Sequence, residues 1–289
     1  MNRLYYALFC LILTACAGSP VTKPSRVVNA ESYSQDAIQA YKNEDWSRAQ
    51  GLFKQALSFY QSMDDRPAIL TSHINLVEVA LALGDTQEAY QHLKLADNIV
   101  SRDGLKSYRS RITLLNVLLL LQDNQTMEAE SLLLSLLPVF TAEKLTNIPG
   151  DIQIVALATQ LEIAFLQKNN ELIWLLRYQN ALESLDNNNT GLAARLLRFQ
   201  SKWLLQKGHY AEAEAKLQQA LTLYKIDLTR TGIAGTLLEL GELYQKQADY
   251  LHAIDYFKRA IVVFRSLGNV EKVKKVTVIL SNAINKLPK

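Results

Sequence analysis

The chain has 289 residues, about half of them apolar and a fifth charged, a balance that belongs to globular rather than disordered chains. Glycine (11) and proline (6) are scarce, so periodic segments can run unbroken and an all-helical chain is expected. A net charge of +3 is too balanced to point to nucleic acid, and past the N-terminal stretch no apolar run reaches the length of a membrane span.

The chain opens "MNRLYYALFCLILTAC", one basic residue and then an apolar stretch from Leu4 to Leu13, which is the shape of an export signal. Two kinds of processing fit it. Ala15-Cys16-Ala17 suits an ordinary small-x-small cleavage site. Leu13-Thr14-Ala15-Cys16 resembles the lipobox of bacterial lipoproteins. That resemblance implies a signal peptide over 1–15, acyl chains (palmitate among them) on Cys16, and a polar tether over 16–30. Several chains anchor stably where one alone is marginal. Ala17, rather than Asp, resembles the default that is sorted to the outer membrane, with the protein on its periplasmic face. Cys10 would leave with the signal and Cys16 would be blocked, so no thiol remains for a disulfide, a nucleophile or a soft metal.

From residue 31 onward one pattern recurs. Small residues stand at Ala49, Ala89, Ala129, Ala213 and Ala253, most of them 40 apart, with Trp174 at the corresponding place in the fourth unit. A second position keeps step at Ala56, Ala96, Leu136, Ala181, Ala220 and Ala260. Between them sits a large residue each time: Phe53, Leu93, Leu133, Tyr178, Leu217, Phe257. A polar turn precedes each set, such as "NEDW" at 43–46 and "QADY" at 247–250. Six aligned units make an internal repeat. Each unit reads as two antiparallel helices, and a small–large–small stripe lets the axes approach closely. One pair cannot bury its apolar faces alone, so the units must stack.

Leu237, Leu240, Gly241, Tyr244, Ala253, Phe257 and Ala260 resemble the tetratricopeptide repeat, as do Ala37, Asp45, Trp46, Ala49, Phe53 and Ala56. The resemblance implies a right-handed α-solenoid of about six helix pairs over 31–267. A period of 40 against the usual 34 implies longer helices or longer connections. The fourth unit follows the longest connection (138–151) and is read as a degenerate repeat, or as a bend or widened groove. Residues 268–289 then form a capping helix with the stripe Val273, Val276, Ile279, Leu280 and Ile284.

In this family the first helix of each pair lines the concave wall. That implies a partner-binding surface at Leu114, Leu118, Leu121, Ile163 and Leu166, beside a basic patch of Arg195, Arg198 and Lys202. An apolar floor next to cations suits a peptide or helix with apolar anchors and an acidic end. Burial of the same leucines in a tight solenoid or a homo-oligomer is the competing reading. The four histidines, His73, His92, His209 and His252, have no second His or Cys three or four residues away, and no phosphate loop or catalytic order occurs. The expectation is a non-enzymatic scaffold lipoprotein of the bacterial envelope without metal or cofactor, which holds a protein partner in assembly of a pilus, secretion or cell-wall complex. Its rival is a soluble periplasmic solenoid that takes a peptide or small ligand near Trp174.

Overall fold

The structure, a computed structural model, describes residues 24–136, 150–184 and 189–287. The stretch read as an export signal, Cys16 and most of the long connection before the fourth unit lie outside them. The described residues form thirteen α-helices and a short 3-10 turn at Lys106–Tyr108. In chain order they are α1 (Ser25–Lys42), α2 (Trp46–Ser62), α3 (Arg66–Leu83), α4 (Thr86–Arg102), α5 (Arg109–Gln122), α6 (Thr126–Leu136) and α7 (Gly150–Gln167). There follow α8 (Glu171–Ser184), α9 (Thr190–Gln206), α10 (Tyr210–Ile226), α11 (Arg230–Lys246), α12 (Tyr250–Ser266) and α13 (Val270–Ile284). Consecutive helices pack pairwise, as an α-solenoid requires. Helix α1 begins directly after Pro24, six residues inside the stretch read as tether; proline cannot continue a helix backward but starts one readily.

The turns explain the period. Left-handed backbone occurs at Glu44, Asp64, Gly84, Gly104 and Asn124, and again at Gly208, Leu228, Ala248 and Gly268, twenty residues apart within each run. Each amide that follows bonds back five residues: Asp45 N to Ala40 O at 2.9 Å, Asp65 N to Tyr60 O at 3.1 Å, Asp249 N to Tyr244 O at 2.9 Å. This is the Schellman ending of a helix. The same residue then starts the next helix. Asp85 accepts from Glu88 N at 2.9 Å and Asn269 from Lys272 N at 2.9 Å, as N-caps. The elementary repeat is therefore one helix and one turn of twenty residues. The residues beyond the usual period enter as helix length, with α1 to α4 at 17–18 residues and only 43–45, 63–65 and 84–85 between them.

The small–large–small stripe is the core. Ala49, Ala89, Ala129, Ala213 and Ala253 are fully buried, and so are Tyr178 and Phe257. Gly241 shows why small residues are needed. A Cβ there would lie 2.4 Å from the Phe257 ring, so that ring packs directly on the α11 backbone.

The core is not shared evenly. One cluster joins α1–α5 to α10–α13, running from Ala37 and Leu119 to Ala213 and Ala283 without including α6–α8. Units three and four have clusters of their own, around Leu133 and Ile163 and around Trp174 and Tyr178. The solenoid thus turns far enough for its last helices to meet its first.

Candidate functional site

The first helices of successive pairs are tied to one another by side chains that face inward. Arg111 of α5 donates through Nε (3.1 Å) and Nη2 (2.5 Å) to Glu78 of α3. Tyr41 of α1 stands beside the same carboxylate, and burial first, then the Glu78 charge, pushes its phenol well above the ordinary value. Further along, Arg195 of α9 donates to Glu162 of α7 at 3.0 Å. Arg198 makes a two-pronged pair with Glu239 of α11, both bonds 2.8 Å.

Between the first of these ties and α7 lies a cavity of about 420 Å³. Its wall is Leu81, Leu114, Leu115, Leu118, Ile152 and Val155, with Tyr41, Glu78 and Arg111 at the polar edge. Four inner helices contribute: α1, α3, α5 and α7. An apolar pocket with a few convergent polar groups is the usual form of a binding site.

The other half of the interior is ionic. Glu162 keeps 43% of its side chain open to water, as the floor of a concave wall must. Surrounding protein opposes its charge, yet Arg195, Lys202 and Arg198 together hold its pKa below the usual carboxylate range. Glu242 behaves oppositely: enclosure first, then neighbouring Glu239, raises it against the pull of Lys202, Lys246 and Lys272. Lys272 belongs to α13, and enclosure is the main cause of its depression. It feels Glu162, Arg198 and Glu242, so the cap stands within electrostatic reach of α7, α9 and α11.

With this geometry, the match of residues 236–271 to the tetratricopeptide-repeat family model falls on α11, α12 and the start of α13. Residues 236–271 are similar to a tetratricopeptide repeat, and the helix pairs before them have the same build. No curated protein gives a significant match. Tetratricopeptide repeats serve as protein-interaction scaffolds, and the solenoid has that build.

The helical-repeat framework brings some of the expected wall residues together and separates others. Leu114 and Leu118 line the cavity, and Leu121 is partly buried against the same core. Ile163 does not face the groove: it is fully buried, because its side of α7 is the one packed in the third unit's core. Leu166 ends α7 and is 67% exposed. Arg195 and Arg198 are not a free basic patch, since each is paired with a carboxylate. Lys202 lies 4.0 Å from Glu239 and over the Phe165 ring. The inner wall is close to charge-balanced, so a complementary acidic end on the partner loses its support. Trp174 is buried, with Arg177 stacked over its ring, and packs in the core with Leu175 and Tyr178.

Sequence spacing also concealed a histidine pair. His73 and His92, on α3 and α4, face each other with their Nδ1 atoms 2.9 Å apart. Nineteen residues is not a spacing within one helix; it joins two antiparallel ones. No group of three or more His, Cys, Asp or Glu that could hold a metal occurs among the described residues. His209 and His252 are exposed and bond locally to Glu212 and Asp249.

Proposed function

We propose that this protein is an adaptor of the bacterial envelope, held to the membrane by acyl chains on Cys16, that grips an apolar segment of a partner protein in the cavity between α1, α3, α5 and α7. The observation that carries the reading is the cavity itself. Its wall is aliphatic, and its edge offers a phenol, a carboxylate and a guanidinium that can bond a partner's backbone or polar side chains. Because Arg195 and Arg198 are already neutralised, specificity rests on shape and on the Tyr41–Glu78–Arg111 edge rather than on net charge. The lipid would determine where the adaptor works, at the periplasmic face of the outer membrane, and the partner would determine whether it serves a pilus, a secretion channel or the cell wall.

The test is capture from envelope extracts with the full chain fixed near its N-terminus. A protein retained by the parent and lost by Leu118→Asp, at unchanged helicity, supports the cavity as the site. Equal capture by both moves binding elsewhere. Membrane fractionation of Cys16→Ser tests the anchor separately: release into the soluble periplasm supports lipidation, and retention with unchanged mobility overturns it.

A further inference from the structure

The two ends of the solenoid meet through helix termini. Arg230, the first residue of α11, donates from Nη2 to the carbonyls of Asn43 (2.7 Å) and Glu44 (2.6 Å), where α1 ends. In return the Glu44 carboxylate accepts the Thr231 amide at 3.0 and 3.1 Å and the Thr231 hydroxyl. Thr229, the residue at the N-cap position of α11, makes no side-chain cap of its own. Helix α11 is therefore capped by a carboxylate 187 residues away, and α1 is capped by an arginine at the same distance. A second exchange lies alongside: Asn269, which caps α13, donates from Nδ2 to Ala82 O near the end of α3 at 2.7 Å. Carboxyl ends of α1 and α3 thus abut amino ends of α11 and α13, an arrangement the helix dipoles favour.

This seam is unlike the joints between consecutive helices. Those bury continuous apolar stripes. Here polar groups hold the edge, and beside them an open cleft of about 620 Å³ is lined from both sides by Glu44, Trp46, Ser47, Arg230, Arg265 and Gly268. Apolar contact does cross it, since one core includes residues of both ends. Yet no two helices facing each other across the seam pack along their length as consecutive helices do; Leu83 Cδ2 lies 3.4 Å from where a Gly268 Cβ would stand. Hydrogen bonds exchanged for water on opening cost far less than stripped apolar surface. The seam is accordingly the cheapest joint to part, and the left-handed backbone at Glu44 (φ 54°) presents its carboxylate to it.

We propose that the reciprocal caps at Glu44–Arg230–Thr231 form a latch that holds the solenoid curled, and that releasing it opens the inner wall, including the cavity at Leu118, to bulky partners. The proposal rests on the reading of that cavity as the binding site, as a regulation of access to it. The latch is a conformational device, so its test needs no partner. In the full chain with Cys10 and Cys16 replaced by serine, Leu118→Cys reports access by its rate of reaction with a small and with a polymer-bearing maleimide. Hydrogen exchange of the segment around Thr231 reports the seam.

Arg230→Ala removes the donors to two carbonyls. The expected result is exchange at Thr231 faster by about tenfold or more, the equivalent of roughly 1.4 kcal/mol. Reaction of Leu118→Cys with the bulky maleimide should rise in parallel, while the small reagent changes little. Glu44→Gln, which keeps an acceptor but loses the charge, should fall between the two. A disulfide between Ser47→Cys and Gly268→Cys, whose Cβ would lie 3.6 Å from the Ser47 Oγ, should restore slow exchange at Thr231 in the Arg230→Ala background. Faster exchange at Thr231 without faster bulky labelling would overturn the gate and leave only a cap. Unchanged exchange, or loss of helicity in Arg230→Ala, would overturn the latch. Capture that fails while gating succeeds would sink only the binding reading.

Discussion

The sixth unit and the fourth each join two helices by a three-residue turn and solve their packing in opposite ways. Left-handed backbone stands at Ala248 in the one and at Lys168 and Asn170 in the other. In the sixth, α11 and α12 meet at Gly241, Ala253 and Ala260, and the Phe257 ring lies on bare backbone. Its core runs on into the last helix and, across the seam, into the first two units. In the fourth, Trp174 occupies the place of the alanine, and the pair is filled by aromatic side chains instead. Tyr178 meets Phe199 edge-on at 5.4 Å and Phe165 stacks on Phe199 at 6.2 Å. The comparison separates two tasks of a repeat. Turns set where helices begin and end; residue volume at the crossing sets how close they come. In the sixth unit a small crossing accompanies a shared core, and in the fourth a large one accompanies a core of its own.

The largest expected break in that comparison is Trp174→Ala. Removing a buried indole leaves a cavity and should cost about 3–5 kcal/mol, read as a fall in Tm with accelerated exchange confined to α7–α9. A near-zero change would mean that the fourth unit closes up onto alanine and that the tryptophan is incidental.

Next is acidification, which should act on the second unit, whose α3 and α4 belong to the same core as the sixth. The His73 pKa is depressed to about 4, chiefly by burial and then by the His92 charge. Facing groups are His92, itself depressed mainly by burial and by Lys54 against the opposing Glu88. Below pH 6.5 the unfolded chain takes up a proton that the native one refuses, so stability falls as pH drops from 6.5 toward 4. The loss reaches up to about 3 kcal/mol and is absent above that window. Tm against pH for the parent and His73→Phe should diverge through the window. Parallel curves would show that the pair does not contribute.

Smaller effects come from the glycines. Gly241→Ala drives a methyl into the Phe257 ring and should cost about 1–3 kcal/mol. Gly51→Ala, in α2 with nothing within 4 Å of the added atom, should instead gain about 0.5–1 kcal/mol. Equal Tm shifts for the two would show that crossing distance is not what Gly241 provides. Last, Tyr178→Phe in the fourth unit removes a buried hydroxyl with no hydrogen-bond partner among the described residues, and stability should stay level or rise slightly. A clear loss would reveal a partner for that hydroxyl.

Much of the architecture was legible one helix pair at a time. The buried stripe of Ala253, Phe257 and Ala260 and the turns at 43–46 and 247–250 follow from side-chain volume and hydrogen bonding within about forty residues. Half of the twenty-residue periodicity, the turns between units at Asp64, Gly104, Leu228 and Gly268, was not read, because the left-handed position is held by glycine in some turns and by other residue types in the rest. For the interior, Leu114 and Leu118 were readable as inner-helix residues. Ile163 was misplaced because α7 is apolar on nearly every side and its period does not say which side is core.

The amino-acid sequence by itself determined the helices, their ends and the pairing within each unit, all of which depend on neighbours in the chain. Only the tertiary structure decided that Arg195 and Arg198 are neutralised by Glu162 and Glu239. It alone brought His73 to His92 and Glu44 to Arg230 and Thr231. The reason is cumulative geometry. Each unit is rotated slightly against the last, and only the sum of those rotations over the whole solenoid brings the end of α1 against the beginning of α11, a meeting that no local pattern encodes.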